Sequence, residues 1–407
     1  MDVVFLNPVF PSEMQDFARG LSQVGARVWG VGDRPAHALP DALRAHLTGY
    51  LHVPRILDEA DVVKRVVSWL GGRRPDRVEA CWEPLVIAAA HLREHYGVPG
   101  MSVDTVVAFR DKQRMKERVA AAGVRVPHSA RVTTVDEAKK AAERVGYPLI
   151  LKPIAGAGSA DTYRVDEPGE LEPTLQRMGH VTEASCEEFI DGEEFTYDTV
   201  CVDGTPGFEN VAQYLPRPLI ARTEEWISPI ILTYRNLEHP RLAEGIALGR
   251  KVLSALSMGT GFTHMEWYKK ESGEVVFGEI GCRPGGARLV DQMNLGSDTD
   301  LFVEWARAVV HGQVHAPAQK AYCTAIVFKR ATGHGVIRRI DGLDAFLHKY
   351  GEHVVIDDVL RPGQPRRDWK QTLLSDGFLV VRHPQANIAL DLAREAAATI
   401  HLHASPS

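Results

Sequence analysis

The chain has 407 residues, 44% hydrophobic and 25% charged, with a formal net charge of −6. That length bounds the protein at about two to three units with a sizeable core, and the composition excludes a disordered tail or a membrane bundle. The acidic balance leaves no basic footprint, so neither a nucleic-acid partner nor a membrane surface is expected, and small molecules become the default ligands.

Residues 3–6 form a first apolar run, followed by a loop at 7–11, a helix to residue 24 and a second strand at 26–31. Amphipathic helices follow at 58–69 and 85–95, and the alternation predicts a small parallel α/β sheet over 1–104. A helix at 111–122 that stops at Gly123 with Pro127 beyond it opens a second region, 105–316, whose strand–turn–strand signals predict an α+β unit on antiparallel sheets. A third region, 317–407, reads as strands at 323–329, 336–340, 353–357 and 377–381 and a helix at 385–401. Cys81, Cys186, Cys201, Cys282 and Cys323 form no Cys-x-x-Cys pair and are odd in number, which fits reduced thiols. With no leader-like start and no run of about 18 apolar residues, the expectation is cytoplasmic residence.

The segment 261–286 is the most informative. Two strand-like runs, 262–269 and 275–281, flank Ser272-Gly273, a two-residue turn that sets Glu271 against Glu274 and carries the register back to Glu266 against Glu279. Two carboxylates about 5 Å apart at Cβ repel unless a cation lies between them, and hard oxygen donors without a nearby thiolate suit Mg²⁺ or Mn²⁺. Two solvated glutamates on an open sheet face are the plainer reading of such a pair. The context favours the site, because Glu279 runs into Arg283-Pro284-Gly285-Gly286, where a bidentate donor precedes glycines expected to open a helix whose amides face an anion.

Upstream, an apolar strand at 148–153 carries Lys152 and leads into a loop with Gly156, Gly158 and Ser159, then a strand at 162–165. Glycine amides with a lysine beside them suit phosphate, although such loops are usually turns, and no Walker A or dinucleotide pattern is present. Residues 186–199 read as strand, sharp turn at Asp191-Gly192 and strand, an acidic hairpin.

Taken in order, these segments resemble the ATP-grasp superfamily, in particular its carboxylate–amine ligases such as the bacterial L-amino-acid ligases, over essentially the whole chain. The resemblance implies a three-part architecture: an N-terminal parallel α/β domain, a central ATP-grasp domain and a small C-terminal α+β domain. It makes Lys112 and Lys152 the two ATP lysines, with the 155–160 loop as a lid. It makes Glu187, Glu188, Phe189 and Ile190 the hinge that meets adenine, Glu194 the ribose acid, and Glu266 and Glu279 the magnesium ligands. Arg283, with Gly285 and Gly286, would hold a substrate carboxylate and the oxyanion of an acyl-phosphate mechanism joining a carboxylate to an amine, in a chain that pairs as a homodimer. One position departs from the family, since Gly281 stands where it usually has Asn; His264, expected opposite Gly281, or a water would fill that place, or His264 is simply a buried core histidine. A bicarbonate-activating carboxylase of the same superfamily and an inactive nucleotide-binding regulator remain as alternatives. The segment 212–240 is expected to cover the acceptor pocket, with Tyr214, Arg217, Arg222, Trp226, Tyr234 and Arg235 as contacts and Arg222 facing an anionic group.

Overall fold

The computed structural model describes residues 1–155, 161–317, 319–372 and 374–406. The N-terminal strands β1 (Asp2–Leu6), β2 (Arg27–Gly32), β3 (Gly49–His52) and β4 (Arg77–Ala80) form a parallel sheet in the order β3-β2-β1-β4. Residues Val3, Val4, Phe5 and Leu6 are fully buried, as expected of a central parallel strand covered by helices on both faces. The helix Glu59–Leu70 begins where the Asp58 side chain accepts from the Asp61 amide and ends at Gly71 in the left-handed region.

Four antiparallel strands, β5 (Ser129–Val132), β6 (Leu149–Pro153), β7 (Tyr163–Val165) and β8 (Ala184–Glu188), make a second sheet in the order β5-β8-β6-β7. The largest sheet has eight strands: β9 (Glu193–Val202), β10 (Thr205–Leu215), β11 (Ile230–Thr233), β12 (Gly261–Lys269), β13 (Val275–Gly281), β14 (Cys323–Phe328), β17 (Val354–Asp357) and β18 (Phe378–His383). Its order is β13-β12-β9-β10-β11-β14-β18-β17. Strands from beyond residue 317 thus extend the central sheet, while β15 (Thr332–Gly333), β16 (Val336–Asp341) and β19 (His401–Ser405) form a small sheet of their own. The helix Pro240–Ala255 lies on one face of the large sheet, where Gly245 and Gly249 leave room for the rings of Trp267 and Tyr197. On the other face Phe17, from the N-terminal helix Met14–Gln23, meets Phe262, Phe302 and Trp305 edge-on. This aromatic cluster fixes the N-terminal unit against the sheet that carries the acidic pair.

Four expectations need correction. The segment 186–199 is not a hairpin, because β8 and β9 belong to different sheets and residues 189–192 cross between them. The turn at 270–274 is one residue longer than expected: the Lys270 amide donates to the Glu274 carbonyl (3.0 Å), and Gly273, at φ 90°, donates to the Lys270 carbonyl (2.9 Å). Lys270, not Glu271, therefore faces Glu274. The helix expected to open at Gly285 begins at Leu289, because Ala287 and Arg288 are both left-handed (φ 56° and 61°) and cannot continue a right-handed turn. The last helix, Ala386–Thr399, stops before 401; Ile400 is extended and fully buried, which draws the chain into β19. All five cysteines are free and buried, and no helix among the described residues is long and apolar enough to cross a membrane.

Candidate active site

Although the turn is longer, Glu266 does stand opposite Glu279. Near the tip Trp267 pairs with Phe277, so one residue of β13, Gly278, bulges out and restores the register before Glu279. A side chain is excluded there, since a Cβ on Gly278 would lie 2.8 Å from the Glu266 carbonyl oxygen. His264 faces Gly281 across the same ladder.

Two cavities meet at this pair. The larger, about 620 Å³, is walled by Trp82 and Glu83 of the N-terminal unit, by His264 and Arg283, and by the loop holding Gly285 and Gly286. The smaller, about 70 Å³, is walled by Lys152, Glu187, Ile190, Glu194 and Tyr268. Lys112, Glu266 and Glu279 line both.

Around the acids lies a cluster of lysines. The Lys152 ammonium is 3.2 Å from Glu187 and 3.4 Å from Glu279, Lys112 is 3.6 Å from Glu279, and Lys116 bonds to Glu187. Lys112 and Lys116, four residues apart, share one face of the helix Lys112–Ala121. Burial alone would raise the Glu187 carboxyl, but Lys116 and Lys152 bring it down to about 2. Burial also works against Glu279, and Lys112 and Lys152 hold it well below the carboxylate range. Burial lowers Lys116 to about 8, whereas for Lys152 the charges of Glu187 and Glu279 outweigh burial and raise it. On the other side of the pair, burial and the neighbouring Glu266 push Glu194 up to about 8 despite Arg217. The carboxylates here are therefore short of positive charge.

His264 is neither an apolar core residue nor free. Its Nδ1 is 2.6 Å from Asp198 and its Nε2 is 3.7 Å from Glu266, and the Asp198 charge outweighs burial to raise it to about 9. Asp198 in turn accepts from Thr196 (2.7 Å) and Asn210 (3.0 Å). Among the described residues no cluster of three or more His, Cys, Asp or Glu side chains has metal-ligand geometry.

Of the hinge residues, Glu187, Glu188 and Ile190 line the small cavity and Phe189 does not. Glu188 is committed to Arg125 (2.7 Å) and the His128 amide (3.1 Å), and the Glu188 and Phe189 amides donate to His128 and Pro148. Ile190 and Glu194 share that cavity with Arg217, which binds both: Nη1 donates to the Ile190 carbonyl at 2.8 Å and Nε to Glu194 at 3.2 Å. The same guanidinium lies 4.8 Å from the Phe189 ring and 4.9 Å from that of Tyr268. Gly156, Gly158 and Ser159, with the rest of the expected lid, lie outside the described residues.

Arg283 is oriented from the N-terminal unit. Glu83 accepts from Arg283 Nε and from Arg110 Nη1, each at 2.5 Å. Glu83 was not singled out in the sequence, yet it follows β4, at the carboxyl end of a parallel strand, where open α/β sheets place ligands. Of the 212–240 candidates, Tyr214 and Arg222 line the large cavity, Trp226 is exposed, Tyr234 bonds to Gln213 and Arg235 to the Lys320 carbonyl.

Residues 111–190 match the family model of the carbamoyl-phosphate synthase L chain, ATP binding domain. The chain is similar to the L-arginine-specific L-amino acid ligase of Bacillus subtilis, with 26% identity over 255 residues, 61% of this chain and 61% of that protein. Its fold matches the crystal structure of an L-amino acid ligase from Bacillus licheniformis with a TM-score of 0.76 at 18% identity, covering 98% of each chain. It also matches N5-carboxyaminoimidazole ribonucleotide synthetase from Thermotoga maritima with a TM-score of 0.71 at 15% identity, covering 99% of each.

Proposed function

From the premise that this chain belongs to the ATP-grasp ligase family, we propose that it joins a carboxylate to an amine through an acyl phosphate, releasing ADP and phosphate. The observation that carries this reading is the shared boundary: Lys112, Glu266 and Glu279 belong to both the small cavity and the large one. Nucleotide in the small cavity presents its terminal phosphate at that boundary, and the acid to be activated meets it from the large one.

The donor set fits a divalent cation. Glu266 and Glu279 face each other, and burial together with the Glu266 charge has pushed Glu194 up to about 8. Two carboxylates suffice for magnesium, or manganese, which keep several water or phosphate oxygens as further ligands. Such an ion supplies charge neutralisation to the phosphates. Lys112 and Lys152 donate to phosphate oxygens, while Lys116 holds Glu187 in place beside them. Ile190 and Glu194 take the adenine and ribose ends once Arg217 gives way. A carboxylate oxygen attacks the terminal phosphorus, the bond to the ADP oxygen breaks, and the acyl phosphate forms. Arg283, steered by Glu83, and the Gly285 and Gly286 amides stabilise the oxyanion as the amine nitrogen bonds to the acyl carbon and phosphate leaves. The same reading includes a homodimer in the cytoplasm without a nucleic-acid partner.

Magnesium-dependent ADP release, measured against amino acids singly and in pairs and against bicarbonate, tests the proposal. Release with an amino-acid pair and a new amide product supports it, and release with bicarbonate alone favours the carboxylase reading. Lys152→Ala and Glu279→Ala should each lower turnover by about 10² or more; wild-type rates in both would remove these residues from the mechanism.

A further inference from the structure

The large cavity continues past the reacting end. From Glu266 on β12 it runs across β9, β10 and β11 to Phe328 and Arg330 at the end of β14. At about 4.8 Å per strand spacing, that is roughly 19 Å of sheet. The two ends differ in charge. The near end carries both signs, Glu83, Glu266 and Glu279 beside Arg110, Lys112 and Arg283, whereas the described wall within 216–231 and 328–375 contributes Arg222, Arg330 and Lys370 and no Asp or Glu.

The far-end arginines lack acidic partners. Glu225 and Asp376, whose charges reach Arg330, are both bound by Arg366, at 2.7 Å and 3.0 Å. No carboxylate among the described residues lies within 4.0 Å of Arg222 or Arg330. Arg330 is held by the carbonyls of Ala221 and Glu224, both at 2.8 Å, and lies 4.3 Å over the Trp369 ring. These contacts make Arg330 a clamp on the 216–229 segment; with Nε donating to Ser375 Oγ at 3.4 Å, they leave Nη2 without a hydrogen-bond partner among the described residues. Arg222 has one hydrogen bond, to the Lys370 carbonyl at 2.8 Å, out of the five donors of a guanidinium. Burial lowers both arginines from their ordinary range, Arg330 to about 10. Clamping accounts for Arg330 and leaves Arg222 unexplained.

Resting on the ligase reading, we propose that Arg222 and Arg330 recognise a second anionic group, a carboxylate or phosphate, carried by a substrate at the end remote from the new bond. The substrate class is then an elongated molecule: a reacting carboxylate or amine at one end, and an anion at the other.

A length series tests this. ADP release is measured with ω-amino acids and with dicarboxylates of increasing chain length, each beside its neutral carboxamide, and with ω-aminoalkyl phosphonates. Above a threshold length the wild type should prefer the anionic form by about tenfold or more in kcat/KM, expressed in KM. Arg222→Gln, which leaves the Arg330 clamp intact, should lose that preference while its rate with the neutral carboxamides is unchanged. The dicarboxylate and amino-acid arms separate an anion on the acid from one on the amine, and the phosphonates separate phosphate from carboxylate. Equal use of charged and neutral forms at every length, or an unchanged preference in Arg222→Gln, overturns the subsite. If no pair releases ADP, the ligase reading fails by itself, and calorimetric titration with suberate decides the subsite: binding weakened in Arg222→Gln supports it, and equal binding in both proteins overturns it.

Discussion

Replacing Glu187 by Gln removes the carboxylate that is ion-paired with both Lys116 and Lys152. Glu187 is 4% exposed, and its two ammonium neighbours are nearly as buried. Its carboxyl sits at about 2 in the folded chain against an ordinary value of 4.5, which corresponds to about 3 kcal/mol of native-state stabilisation. Breaking a buried pair while leaving the cations in place costs about 3–5 kcal/mol, a range that brackets this figure. The folded-state value is depressed, so the contribution is present above about pH 4.5 and lost as pH falls toward 2. Unfolding of so large a chain is not two-state, so the suitable assay is amide exchange in β6 and β8. Glu187→Gln should speed exchange there by about 10² to 10³. Adding Lys116→Met should recover part of the loss, since it removes a stranded charge. Exchange in Glu187→Gln within about threefold of wild type would mean that the cluster is solvated and that the electrostatic argument for the lysine side of the site is wrong.

Asp198→Asn should destabilise the protein most at low pH. His264 is raised from 6.5 to about 9, so its pairing contributes fully below pH 6.5 and is lost as pH rises through 9. The difference in amide exchange of β9 and β12 between wild type and variant should narrow over that window, and a constant difference refutes the pairing. Arg217→Ala should tighten ADP binding by about tenfold, because the nucleotide no longer displaces two hydrogen bonds made to a carbonyl and a carboxylate. Weaker ADP binding in that variant would instead make Arg217 a nucleotide ligand. Glu83→Gln should lower kcat/KM for ADP release by about tenfold or more through loss of a charge-assisted bond to Arg283, with ADP affinity unchanged; an equal loss in ADP affinity would show that Glu83 acts beyond Arg283.

The parts of this site that could be read from the sequence are local ones. Strand periodicity and the glycine turn located β12 and β13 and set Glu266 against Glu279, yet that register was reached through two errors that cancel, a turn counted one residue short and a bulge not foreseen. A bulge leaves no mark on the apolar pattern except a glycine, and glycines in strands have several causes. Lys112 and Lys152 stood out, whereas Lys116 did not, because its partner Glu187 is distant in sequence and only the fold joins them. Glu83 was missed for the same reason, since it acts on Arg283 across units that the sequence shows only separately, whereas Arg217 was expected at the acceptor pocket and pairs instead with Glu194. In 317–407 the strands β14, β16, β17 and β18 were located and β15 and β19 were not, and the membership of β14, β17 and β18 in the central sheet depends on long-range pairing that no local signal encodes.

The protruding glycine of β13 also marks where the hairpin can change length over time. A relative that trimmed the 271–273 tip by one residue would still close Lys270 opposite Glu274 on a two-residue turn, and one that lost Gly278 would still set Glu266 opposite Glu279. Length can vary at these two points independently, whereas a single insertion or deletion between them, within 267–269 or 275–277, would turn one strand over and send an acidic side chain to the wrong face.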